Sequence, residues 1–305
     1  MPEWYIVYSS DELASFLSRD LPSRFPYFAA IRQFWRIQAA MRRATAGAYP
    51  ANNGYRMMIA VIGTSFTAEY ALKGAYELTA GRAFEWLSLR GDPARRGAAD
   101  LAAAGVARDY GAFMHDYAWY EFPFKTKLRA YRRETAEAPW TLRKTERRAA
   151  FTLELAGKAL WGKAIKKATG TAYAPEDMEI LAWVRTGGAD PAKASLGVKV
   201  LERLGGDSAL ISIPRYEKFQ GAATGLAKAG VTFVEIAGNK TILATVLGPS
   251  DWDGARLWGG ELGKWPVLSE PGRSRFALSI PVARLREALA DWKAAGLVTE
   301  HLYDY

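Results

Sequence analysis

Glu69, Lys73 and Glu77 recur at four-residue spacing, so on a helix turning about 100° per residue they form one row. Ile59, Ile62, Phe66 and Tyr70 fall on the same side of that helix. A solvated salt-bridge ladder would occupy the polar side instead. The pattern therefore predicts a buried or half-buried Glu–Lys–Glu row, and charges taken out of water are costly unless paired and hydrogen-bonded. The signal repeats: Phe66-Thr67-x-Glu69-x-x-x-Lys73-x-x-Tyr76 is echoed by Phe151-Thr152-x-Glu154-x-x-x-Lys158-x-x-Trp161. Two helices carrying the same inward pair could exchange partners, Glu69 with Lys158 and Glu154 with Lys73. The alternative is two independent i,i+4 pairs, each worth about 0.2–0.5 kcal/mol.

Two kinds of chemistry fit such a set. A buried lysine between carboxylates could shuttle protons or form a Schiff base, and a crowded glutamate with a raised pKa could act as an acid. A structural role would make the pairs a registry device that fixes how two helices meet. The structural role is the reading taken here, with Glu69, Lys73, Glu77, Glu154 and Lys158 as the catalytic candidates of the alternative.

Other constellations are sparse. The chain has no cysteine and two histidines, His115 and His301, which removes thiolate chemistry and supplies a His-based metal site or Ser-His relay poorly. His115 lies off the Val106–Tyr110–Phe113–Tyr117 face and reads as a surface residue. His301, Tyr303 and Tyr305 share one face of a terminal strand, where sheet packing is the expected role. No phosphate-binding loop, dinucleotide fingerprint or nucleophile elbow is present. Gly259-Gly260-Glu261-Leu262-Gly263 reads as a loop. No cofactor and no metal are expected.

The formal charge of +9 is concentrated in one zone. Between Lys125 and Lys167 stand thirteen Lys or Arg against four acids, Glu134, Glu137, Glu146 and Glu154, a surplus equal to that of the whole chain. Lys125, Lys127, Arg129, Arg132, Arg133, Arg143, Lys144, Arg147 and Arg148 are the candidate surface-binding residues. Anionic lipid or nucleic acid would be attracted to such a zone. Upstream of it, Trp119 to Phe124 is aromatic-rich, and an aromatic-then-basic sequence can seat a surface at the lipid headgroup boundary or bind single strands. An anionic membrane or a protein partner is favoured over nucleic acid, because no DNA- or RNA-reading motif appears.

Two domains are expected to position these residues, 1–170 and 171–305. The first reads as a short strand from Trp4 to Ser9 followed by about six helices. These are Ser10–Arg19, Phe28–Ala46, a single central helix Tyr55–Ser88, a helix from Pro93 to Trp119, a basic helix to Arg133, and Leu142–Thr169. The second carries strands near Met178–Val184 and Val198–Leu201, then two copies of strand–Pro–helix–Gly–strand. One copy runs Leu210-Ile211-Ser212-Ile213-Pro214, helix Arg215–Ala229, Gly230, strand Val231–Ile236. The other runs Ala277-Leu278-Ser279-Ile280-Pro281, helix Val282–Ala295, Gly296, strand Leu297–Tyr303. Pro pre-sets the first turn and Gly ends the last. A hairpin at Gly238-Asn239 and the strand Thr241–Leu247 separate them. The fold class is therefore α+β: a multi-helix domain followed by a ferredoxin-like, βαβ-repeat domain.

The pieces Gly54-Tyr55-Arg56-Met57-Met58, Ile236-Ala237-Gly238-Asn239 and Glu300-His301-Leu302-Tyr303-Asp304-Tyr305 resemble those of an uncharacterised bacterial, mainly proteobacterial, protein family over most of the chain. In such proteins the helical and α/β parts often follow a membrane anchor. The resemblance implies no activity, but it does imply work at a membrane. This chain shows no signal peptide and no apolar run long enough to span a bilayer. The reading is a non-catalytic accessory or scaffold protein, peripherally attached to a membrane or partner through its basic zone. The alternative is an enzyme acting on a small or lipid-like substrate in a helical-domain pocket.

Overall fold

The structure is a computed structural model that describes residues 1–46, 53–169, 178–254, 258 and 260–304, with the side chains of 167–169 outside the description. The chain divides into two compact units, Met1–Thr171 and Ala172–Tyr305. The architecture is α+β, helices first and sheets second.

In the first unit α1 (Pro2–Arg19), α2 (Tyr27–Ala44) and α3 (Asn53–Tyr76) are followed by one wide π turn, Glu77–Gly81, and by α4 (Arg82–Leu89). Then come α5 (Ala98–Asp116), α6 (Phe124–Glu134) and α7 (Leu142–Thr169). The expected strand at Trp4–Ser9 is instead the start of α1. Its aromatic residues are strand-prone, but Tyr5 is buried with its ring 6.3 Å from Phe34 and 6.2 Å from Phe66. Helical spacing delivers Tyr5 and Tyr8 to one side, and tertiary packing overrides the local preference. Pro2 at the first helical position suits that start.

Helices α2 and α3 approach closely. A β-carbon on Gly74 would stand 2.8 Å from Tyr27 Cβ, so only glycine fits. A second apolar cluster joins α5, α6 and α7 through Val106, Phe122, Phe124, Tyr131, Phe151 and Leu155. The aromatic run before α6 belongs to this cluster. Phe122 packs edge-on against Tyr110 and Phe113 at 5.1 and 5.3 Å. Phe122 and Phe124 therefore face the core, not an outer surface.

The second unit holds two four-stranded antiparallel sheets. One contains β1 (Glu179–Arg185), β2 (Lys199–Arg203), β3 (Ser208–Pro214) and β4 (Thr232–Ile236) in the order β2-β3-β1-β4. The other contains β5 (Thr241–Pro249), β6 (Glu261–Pro266), β7 (Arg273–Pro281) and β8 (Val298–Leu302) in the order β6-β7-β5-β8. Both orders are the split-βαβ arrangement. Within the first sheet, α8 (Pro191–Ala194) is a single turn in the first crossover and α9 (Glu217–Lys228) spans the second. In the second sheet α10 (Leu285–Ala294) takes the place of α9.

Each strand–Pro–helix–Gly–strand copy thus closes its own sheet, and the two copies do not share one. Consequently the turn at Gly238-Asn239 is not a hairpin. Asn239 N–H donates to Ile236 O at 2.8 Å and Ile236 N–H to Asn239 O at 3.0 Å, but β4 and β5 then part into different sheets. The stretch expected as a glycine loop is the start of β6, with Gly259 outside the described residues. One apolar cluster draws on both sheets and on Phe219, Leu226, Leu285 and Trp292 of α9 and α10.

The terminal motif has a structural task within this unit. Asp304 accepts from Arg215 Nε at 2.9 Å and from the Tyr216 backbone N–H at 3.2 Å. Tyr216, the residue before α9, has φ of +59°, which a bulky side chain rarely adopts. The Asp304 carboxylate holds it there.

Candidate functional site

The polar interior of the helical unit begins with the two repeated pairs. Lys158 Nζ lies 2.6 Å from Glu69 Oε1 and Lys73 Nζ 2.9 Å from Glu154 Oε1. Lys158 also lies 3.6 Å from Glu154 on its own helix. The partners are exchanged between α3 and α7. Both lysines are nearly buried, and the Lys158 ammonium sits 4.4 Å from the centre of the Tyr110 ring.

A second set continues the row toward the π turn. Arg147 Nη1 meets Glu77 Oε1 at 2.8 Å and its Nη2 meets Glu146 Oε1 at 3.0 Å. Arg143 reaches Asp100 at 2.7 Å, Glu146 at 2.8 Å and Glu85 at 3.4 Å. Ser23 adds its backbone N–H at 3.2 Å and its hydroxyl to Glu85, and Tyr76 donates its hydroxyl to Glu146. Arg143 and Arg147 are 2% and 5% exposed, so neither belongs to the basic surface on which the sequence had placed them. Their guanidinium groups offer several donors in a fixed fork, and four carboxylates on α4, α5, α7 and the π turn take them up.

The π turn explains how Glu77 joins. One extra residue in the turn lets Glu77 and Gly81 both face inward, and a β-carbon on Gly81 would stand 2.5 Å from Glu77 Oε2. Such turns concentrate at special sites. Glycine here makes room for a carboxylate.

The electrostatics differ between the two sets. Glu69, Lys73, Glu154 and Lys158 balance. Burial pushes the Glu154 carboxyl upward, but the Lys73 and Lys158 ammonium groups outweigh it and hold it down at about 2. Burial likewise opposes charge on Lys158, yet Glu69, Tyr110 and Glu154 keep its pKa above the ordinary lysine range. That direction favours the ammonium, whereas a Schiff-base lysine needs a lowered pKa. In the other set two arginines face Glu77, Glu85, Asp100 and Glu146, an excess of negative charge. Burial raises the Glu77 carboxyl from its ordinary value despite Arg147. A proton on Glu77 relieves part of that excess.

A cavity of about 50 Å³ is lined by Glu69, Lys73, Glu77, Arg147, Glu154 and Lys158 among others. Glu77 Oε2 and Arg147 Nε have no hydrogen-bond partner among the described residues. The volume suits a few waters and lies far below the several hundred Å³ of a typical ligand pocket.

The remaining candidates divide by exposure. Lys125, Arg129, Arg132 and Arg133 on α6 are exposed, as are Lys163 and Lys166 on α7. Lys127 is tied to Asp109 at 2.6 Å. Lys144 donates to the carbonyls of Ala136 and Ala138, and Arg148 reaches the carbonyl of Arg132 at 3.5 Å. Lys167 lies outside the described side chains. Lys163 is so near Lys125 that it lowers the Lys125 pKa. His115 is half-buried, its Nε2 2.7 Å from Asp11 Oδ2. His301 is buried in its sheet with its ring 4.6 Å from that of Tyr303, and Tyr305 lies outside the described residues. Among the described residues no group of His, Asp and Glu could hold a metal ion, and no helix is long and apolar enough to cross a membrane.

Sequence reasoning missed Glu85, Asp100 and Glu146 as partners of the arginines. A usable signal existed for Glu85, which continues the four-residue spacing of Glu77 and Gly81 on the inner side. Comparisons with protein-family models, with curated proteins and with solved structures find no match.

Proposed function

We propose that this protein is a non-catalytic accessory protein that attaches peripherally to an anionic membrane surface through the basic face of α6 and α7. The observation that carries the reading is the group of exposed cations Lys125, Arg129, Arg132, Arg133, Lys163 and Lys166, which Glu134, Glu137 and Glu121, 3.9 Å from Lys166, offset only in part. Each basic residue near an anionic leaflet contributes about 1 kcal/mol, so six give a useful but salt-sensitive attraction. An anion bound between Lys125 and Lys163 would relieve their mutual repulsion. The resemblance to bacterial proteins that work behind a membrane anchor supports the same reading. The absence of a nucleic-acid-reading motif favours lipid over RNA or DNA.

Vesicle flotation tests it. Binding is expected to phosphatidylserine-containing vesicles, not to neutral ones, and to fall as salt is raised. Arg129→Glu with Arg132→Glu should abolish it. Binding to neither vesicle, or binding indifferent to salt, removes the electrostatic basis. Tight single-stranded oligonucleotide binding that competes with vesicles would transfer the face to nucleic acid.

A second reading rests on the cavity. Glu69, Lys73, Glu77, Glu154 and Lys158 around it would be the machinery of an enzyme acting on a group no larger than a few waters. A lipid-like substrate does not fit. Lys73→Met separates the roles: activity that survives while thermal stability falls assigns the set to the fold.

A further inference from the structure

We propose that the outer sides of α3 and α7 form one apolar surface that enters the interfacial layer of an anionic bilayer, with α6 as its cationic rim. This rests on the membrane reading above and extends it from attraction to insertion.

The surface follows from the ion pairs. Glu69 to Lys158, Lys73 to Glu154 and Glu77 to Arg147 rise along α3 as they descend along α7, so the helices run antiparallel. In the two exchanged pairs the residue just before each charge is exposed: Ala68 and Leu72 on α3, Leu153 and Gly157 on α7. For antiparallel neighbours an equal offset along both sequences points to the same side. Leu72 and Leu153, each 74% exposed, therefore project to the same side of the helix pair. Met57 and Val61 extend the stripe along α3, and Leu160, 73% exposed, extends it along α7. Ala75, Ala149 and Ala156 fill the exposed positions between them. The Glu85–Arg143 contact brings α4 to the start of α7, where Trp86 and Trp140 are both exposed.

Scattered exposed leucines are ordinary, whereas a contiguous stripe on two helices marks a docking site. Charge identifies the occupant. The stripe carries no exposed acid, and the acids at its inner edge, Glu69 and Glu154, are already neutralised by Lys158 and Lys73. Beside it, Arg132 Nε reaches Thr152 Oγ1 at 3.4 Å, one residue from Leu153, which places the cations of α6 along one border. Exposed tryptophans suit a boundary that is apolar at one end and wet at the other. A leucine and tryptophan face bordered by lysine and arginine matches acyl chains below anionic headgroups.

The cysteine-free chain makes the test clean. Leu72→Cys and Leu153→Cys are each labelled in the full chain with an environment-sensitive nitrobenzoxadiazole dye, and Val298→Cys in the α/β unit serves as control. With phosphatidylserine vesicles the first two should shift to the blue and be quenched by acyl-brominated lipid, and the control should not. Leu153→Glu should weaken vesicle binding at least tenfold with no loss of thermal stability, since the side chain is exposed. Water-like emission at both positions, alongside salt-sensitive flotation of the unmodified protein, overturns insertion and leaves the electrostatic reading standing. Failure of the unmodified protein to float with anionic vesicles overturns both. A concentration-dependent dimer that Leu153→Glu dissociates would make the face a self-interface and overturn insertion as well.

Discussion

Lys158 donates to Glu69 on the facing helix at 2.6 Å although Glu154, one turn away on its own helix, lies at 3.6 Å. The exchange turns two local pairs into a clamp between α3 and α7. Local pairs contribute only a few tenths of a kcal/mol. Exchanged and nearly buried ones fix the register of the two helices, because a slip by one turn would leave a charge unpaired out of water.

A double-mutant cycle reads that clamp. Lys73→Met should destabilise the protein by about 2–4 kcal/mol, since it leaves Glu154 with only the longer 3.6 Å contact to Lys158. Adding Glu154→Leu should recover most of the loss, because a well-packed apolar pair often matches a buried ion pair. Urea unfolding measures both; strictly additive losses would mean that Lys73 and Glu154 do not act as a pair.

Acid stability should depend on Glu154. Its carboxyl is held at about 2 in the folded state, below the ordinary glutamate value. Its contribution is therefore complete above pH 4.5 or so and is lost as pH falls toward 2. Melting temperatures from pH 6 to 2 should show a shallower acid limb for Glu154→Gln than for the unmodified chain.

Glu77 should behave with the opposite sign. Burial raises its carboxyl in the folded state, so its contribution is complete below the ordinary glutamate value and is lost as pH rises through the raised one. Glu77→Gln keeps an acceptor for Arg147 and removes the surplus charge. It should cost little at pH 7 and flatten the decline in stability as pH rises past the ordinary glutamate value, as followed by thermal melts.

Gly81→Ala should destabilise by about 1–3 kcal/mol. The added carbon meets Glu77 Oε2 at 2.5 Å and must push the carboxylate away from Arg147. Pairing it with Glu77→Ala should remove most of the penalty in a chemical denaturation experiment.

Asp304→Ala should loosen the start of α9. Without the carboxylate, Arg215 loses its 2.9 Å contact and the strained Tyr216 backbone loses its acceptor. A loss of about 1–3 kcal/mol is expected, with faster amide exchange at Tyr216 and Glu217 as the local readout.

What the sequence determined by itself is what local periodicity encodes. The four-residue spacing of Glu69, Lys73 and Glu77, its echo at Glu154 and Lys158, and the apolar residues beside them placed these charges on inward faces. They left exchanged and independent local pairs as the two alternatives, between which the structure chose exchange. Proline and glycine punctuation marked two strand–helix–strand units. Tertiary structure decided which sheet each unit joins, because β-pairing depends on partners far along the chain. It turned Trp4 to Ser9 into helix, since burial of Tyr5 against Phe34 and Phe66 outweighs strand propensity. It also drew Arg143 and Arg147 inward from an apparently uniform basic zone. Their carboxylates lie 58, 43 and 70 residues away in Glu85, Asp100 and Glu77. A charge is surface or core according to whether such partners meet it in space, and periodicity within one helix does not report that.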